Sequence, residues 1–109
     1  SMTDNIKDKY KWITNNSDET QCIGLTPETN TFQGVIYKYT KVSIPNPEEM
    51  KDKRDLPLRF EYDIVDSNSL PKEWFAEEFN TLAGDILVDI LEDQVREGKV
   101  QFANIISED

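Results

Sequence analysis

The chain has 109 residues, a formal net charge of −10 at pH 7, and 37% hydrophobic against 31% charged residues. This length can bury one hydrophobic core and not two, and its two Trp, five Phe and four Tyr supply large apolar side chains that a disordered tail lacks. Histidine is absent and Cys22 is the sole cysteine, which removes the commonest general base, the usual zinc ligand and any internal disulfide.

Ser1 before Met2 reads as the remnant of a cleaved tag, leaving residues 2–109 as a single expected domain. No run approaches the roughly 18 to 20 apolar residues of a membrane helix, and the N-terminus has no apolar signal core. The expected location is therefore the cytoplasm, without membrane contact. The acidity is uneven. Residues 1–60 hold nine acidic and nine basic residues, whereas residues 61–109 hold thirteen acidic residues against Lys72, Arg96 and Lys99. Phosphate backbones are bound by lysine and arginine, so direct nucleic-acid binding is not expected, and a protein partner with a basic surface is.

Tyr10 to Ile13 and Thr20 to Leu25 are rich in aromatic and β-branched residues, and the turn-prone run Asn15 to Glu19 separates them, which predicts a β-hairpin. Ile6, Tyr10 and Ile13 also fall at helical spacing, so a short N-terminal helix competes for the first segment. After a turn cluster at Thr26 to Asn30, Phe32 to Ile44 has strand composition. Its apolar alternation slips between Tyr39 and Val42, the mark of a β-bulge near Thr40 or Lys41. Tyr37 and Tyr39 with Lys38 and Lys41 also match a stacking face for single-stranded nucleic acid, but alternate strand tyrosines are first a packing signal. Pro45 to Asp55, with two prolines and seven charges, reads as an exposed hairpin loop. Leu58, Phe60, Tyr62 and Ile64 then give the cleanest alternation in the chain.

Capping residues from Asp66 to Ser69, Pro71 and the terminal Gly98 predict one long helix between Leu70 and Glu97. At 100° per residue Phe75, Phe79, Leu82, Ala83, Ile86 and Ile90 form the stripe that covers the sheet. Glu78, Asp85, Asp89 and Glu92 share a second side, with Arg96 placed to pair with Glu92. This acidic side is the expected partner-binding surface. Val88, Leu91 and Val95 occupy a third side. Either the chain's own ends wrap over it, or it is a self-interface in a homodimer, with the small Gly84 allowing close approach. Val100 to Ile106 reads as a short final strand. The expected fold is α+β: an antiparallel meander of four to five strands, one long helix in the C-terminal half, and that final strand.

Asp85, Asp89, Glu92 and Asp93 concentrate oxygen ligands, but the loop that wraps a calcium ion is missing, so neither a metal nor any other cofactor is expected. Paired carboxylates also serve glycoside hydrolysis, which needs a cleft and a raised pKa that a solvent-facing helix does not provide. Glycine-rich phosphate loops and Cys-x-x-Cys are absent. The reading that follows is a small non-enzymatic accessory protein acting by protein–protein binding. Its alternatives are an acidic mimic of nucleic acid that inhibits a DNA- or RNA-binding protein and, further back, a small carboxylate-dependent enzyme.

Overall fold

A computed structural model describes residues 5–43 and 58–98 of the chain. Its sheet has four strands, β1 (Tyr10–Thr14), β2 (Gln21–Leu25), β3 (Ile36–Ser43) and β4 (Arg59–Asp66), in the spatial order β1-β2-β3-β4 with every pair antiparallel. This is the predicted meander, and one helix, α1 (Glu77–Arg96), packs on a single face of it. The expected loop at Pro45 to Asp55 and the expected final strand at Val100 to Ile106 lie outside the described residues.

The first hairpin is closed by local polar bonds of the kind its composition predicts. The Asn15 side chain accepts from the Ser17 amide at 2.9 Å, the Asp18 carboxylate accepts from the Thr20 amide at 3.1 Å, and Glu19 takes a positive φ of 63°. The N-terminal residues Ile6–Lys9 form only a 3-10 turn, so the competing helix is not made. The third strand is shorter than its composition predicts. Phe32 closes a second 3-10 turn, Pro27–Phe32, and the strand begins at Ile36. Thr40 is the extra residue of a β-bulge, because Tyr39 pairs with Tyr62 while Lys41 pairs with Glu61. The slip lets Tyr39 pack against the core and sets Val42 opposite Phe60 despite their mismatched parity.

On the helix-facing side, Ile23, Leu25, Val35 and Tyr37 from the sheet segment meet Phe79, Ala83, Ile86 and Ile90 from α1, with Phe32 at one end. Fully burying such a side chain is worth roughly 1.5–3 kcal/mol. Phe75, Phe79, Phe32, Tyr37 and Tyr62 interlock edge to face or tilted, with ring centroids 5.0 to 6.3 Å apart, and such geometries add to area burial. Tyr39 donates to the Ala83 carbonyl at 2.6 Å, and the buried Tyr37 hydroxyl lies 2.7 Å from that of Tyr39. With the Tyr39 proton committed to the helix, Tyr37 donates to Tyr39 and no phenol is left unsatisfied. Both tyrosines are thus packing residues rather than a stacking platform. On the opposite face Lys38 stands across from Asp63 and Lys41 across from Glu61, cross-strand pairs of opposite charge that suit a solvated surface.

The helix starts seven residues later than Leu70. After β4, Asn68 and Ser69 adopt positive φ, and Pro71 precedes a 3-10 turn, Lys72–Trp74, instead of opening the helix. Phe75 and Ala76 break the backbone with non-helical angles. The break seats the Phe75 ring against Phe32 and Phe79, so tertiary packing overrides the capping signals. Glu77 and Glu78 then occupy the first turn, where negative charge suits the helix dipole. The far end follows prediction. Gly98 has φ +72° and its amide bonds the Val95 carbonyl at 3.0 Å, a left-handed stop that costs glycine little.

Candidate functional site

Turning α1 by 100° per residue places its carboxylates in two groups, and the fold treats the groups differently. Toward β1, Lys7 from the first 3-10 turn reaches Asp89 at 2.9 Å and also bonds Asp93, and the Tyr10 hydroxyl donates to Asp89 at 2.7 Å. Asp89 is thereby largely sheltered, with 12% of its side chain exposed. The bond from Lys7 holds the Asp93 carboxyl below the usual aspartate range, and donating to Asp93 and Asp89 raises Lys7 in turn. Burial, aided by the bond to Asp89, pushes the Tyr10 phenol well above its usual value. Arg96 pairs with Asp93 at i+3 and not with Glu92 as the spacing predicts, because Asp93 already sits in this cluster on the same flank.

Away from that tie the helix borders two adjoining grooves. The larger, of about 730 Å³, lies between α1 and the 3-10 turn Pro27–Phe32. Phe32 and Leu82 contribute its apolar lining, Thr29, Asn30 and Thr81 its neutral polar lining, and Glu28, Glu77, Glu78 and Asp85 its carboxylates, with Lys9 at the edge. The smaller, of about 340 Å³, is bounded by Ile6, Lys9, Asp85, Val88, Asp89 and Glu92. Lys9 and Asp85 border both, so the two lie side by side along the polar side of the helix. Glu28, Glu77, Glu78, Asp85 and Glu92 are exposed, and among the described residues none of the five stands in an ion pair.

Of the predicted partner-binding set, the fold therefore brings Glu78, Asp85 and Glu92 onto open groove walls and ties Asp89 into the Lys7 cluster. The predicted self-interface is also divided. Val88 and Val95 are exposed and Leu91 is half-buried, but a side chain at Gly84 would point at the Phe60 ring of β4, its Cβ about 3.5 Å from the ring. Gly84 thus faces β4 within the chain, where a methyl group would also fit. Cys22 is buried, as expected of a structural thiol. Among the described residues no group of three or more acidic or cysteine side chains is arranged to hold a metal ion, and no helix is long and apolar enough to cross a membrane.

Sequence reasoning missed Lys7, Lys9, Glu28 and Glu77, which come from segments far apart along the chain. One signal for Lys7 was present. Asp85, Asp89 and Asp93 repeat at four-residue spacing, a like-charge stack that destabilises an isolated helix, while the N-terminal segment carries Lys7, Lys9 and Lys11 without local acidic excess. Compared with protein-family models, with curated proteins and with solved structures, the chain matches none.

Proposed function

We propose that the chain is a non-enzymatic accessory protein that binds a basic segment of another protein along the acidic grooves of α1. The observation that carries this reading is the pair of adjoining grooves lined by Glu28, Glu77, Glu78, Asp85 and Glu92, carboxylates left without ion pairs among the described residues while Asp89 and Asp93 of the same helix are neutralised. Five carboxylates against the one lysine, Lys9, among the described lining residues leave an excess of negative charge on a concave surface, which concentrates field and steers an oppositely charged partner to it. The apolar lining from Phe32, Leu82 and Val88 offers contact to the aliphatic stems of lysine and arginine.

The test is a titration with a fluorescent oligolysine peptide at several ionic strengths. Binding is expected at low salt, weakening as salt shortens the screening length. The paired variant Glu78→Gln/Asp85→Asn should lower affinity by about ten-fold or more, a loss of about 1.4 kcal/mol. A control of equal charge change, Glu61→Gln/Asp63→Asn on the opposite face of the sheet, should leave most of the affinity. Equal losses in the two variants would show that net charge, and not the groove, attracts the peptide.

A further inference from the structure

The outward side of α1 carries two strips. Asp85 and Glu92 lie on one. Rotated from them by roughly a sixth of a turn, Val88 and Val95 lie on the other, 36% and 47% exposed, with half-buried Leu91 between them in sequence. The 88, 91, 95 spacing is that of an apolar seam laid against a second helix. The strips meet, because Val88 also borders the smaller acidic groove. A helix that is apolar on one side and cationic beside it complements both strips at once.

We infer that this surface docks a basic amphipathic helix of another protein, its apolar side chains on Val88, Leu91 and Val95 and its lysines or arginines over Asp85 and Glu92; the inference rests on the reading that the partner is basic. A second copy of this chain is a poorer occupant on two counts. Two chains of net charge −10 would set Asp85 and Glu92 of one copy close to those of the other, and like charges facing across an interface oppose association. Gly84, which would extend the seam, faces Phe60 within the chain. Three aliphatic side chains alone fall short of the roughly 1,000 Å² that a stable interface clears. A basic helix turns the same carboxylates from a penalty into an attraction and adds contact beyond the seam.

The experiment compares three labelled peptides of about 18 residues, roughly five helical turns, by fluorescence anisotropy with the full chain. One places leucines along one helical face and lysines on the other, one scrambles that composition, and one replaces every leucine by glutamine. The amphipathic peptide is expected to bind about ten-fold tighter than the scramble. Val88→Ser/Val95→Ser should erase that advantage while preserving binding of the lysine–glutamine peptide, and Asp85→Asn/Glu92→Gln should weaken all three. Circular dichroism confirms that each variant is folded, and the peptide comparison on the parent chain needs no variant. Equal affinity for the amphipathic and scrambled peptides overturns the inference; if the lysine–glutamine peptide still binds, the acidic-groove reading stands without it. If no basic peptide binds, both fall. A parent that light scattering shows to be a dimer, and that Val88→Ser/Val95→Ser converts to a monomer, assigns the surface to a second copy instead.

Discussion

Asp85, Asp89 and Asp93 follow one another at successive turns of α1, and each step of four residues rotates the side chain by about 40°. The drift carries Asp85 to the groove wall, Asp89 to the flank facing β1, and Asp93 within reach of both Lys7 and Arg96. Chemically identical groups on one helix thus divide into a neutralised flank that ties the N-terminal segment to the fold and an exposed strip open to a partner. Reach from Lys7, and not residue type, decides which carboxylate is which.

High pH bears on this contrast most severely. Tyr10, Tyr37, Tyr39 and Tyr62 are all raised above the ordinary phenol value, each first by burial, and Lys7 is raised by its two aspartates. Groups whose folded pKa lies above the unfolded one stabilise the fold fully below the unfolded value, near 10, and lose that contribution as pH rises through the folded value. Tyrosinate absorbance should therefore lag behind the curve of free tyrosine above about pH 10 and then rise together with loss of helical signal. Four phenols titrating normally while the helix persists would show that the packed tyrosines are open to solvent.

Single substitutions separate the flanks directly. Asp89→Ala leaves the Tyr10 hydroxyl without its acceptor and Lys7 with one carboxylate fewer, and should cost about 1–3 kcal/mol in urea unfolding. Asp85→Ala should stay within about 0.5 kcal/mol, as exposed positions without partners do. Equal costs would erase the distinction. Tyr10→Phe removes one hydrogen bond and keeps the ring, so about 0.5–1.5 kcal/mol is expected, most of it vanishing when Asp89 is already alanine.

What was legible in the sequence follows from the range of the forces involved. Period-two alternation identified β4, the alternation slip located the bulge at Thr40, and Gly98 marked the helix end, because each is written in neighbouring residues. The stripe of Phe79, Ala83, Ile86 and Ile90 was legible for the same reason. The late helix start was not, since Phe75 leaves the helical path to pack on Phe32, forty-three positions earlier. The site was half legible. Helical spacing grouped Glu78, Asp85 and Glu92, but it could not show that Lys7 claims Asp89, nor that Glu28 and Lys9 complete the groove.

The mildest expected effect concerns acid. Asp93 has a folded pKa below the ordinary aspartate value, chiefly through its bond from Lys7, so its contribution is present above the unfolded pKa and is lost as pH falls through the lower folded value. The parent should therefore lose stability below about pH 4 more steeply than Asp93→Asn. Lys7→Gln should flatten the same window, because without the ammonium the main cause of the depression is gone. The double variant should add little beyond either single one, since the two substitutions remove the same interaction. If the flattening from the two were additive, Asp93 would draw its low pKa from somewhere other than Lys7. The tie between the N-terminal segment and α1 would then rest on Asp89 alone.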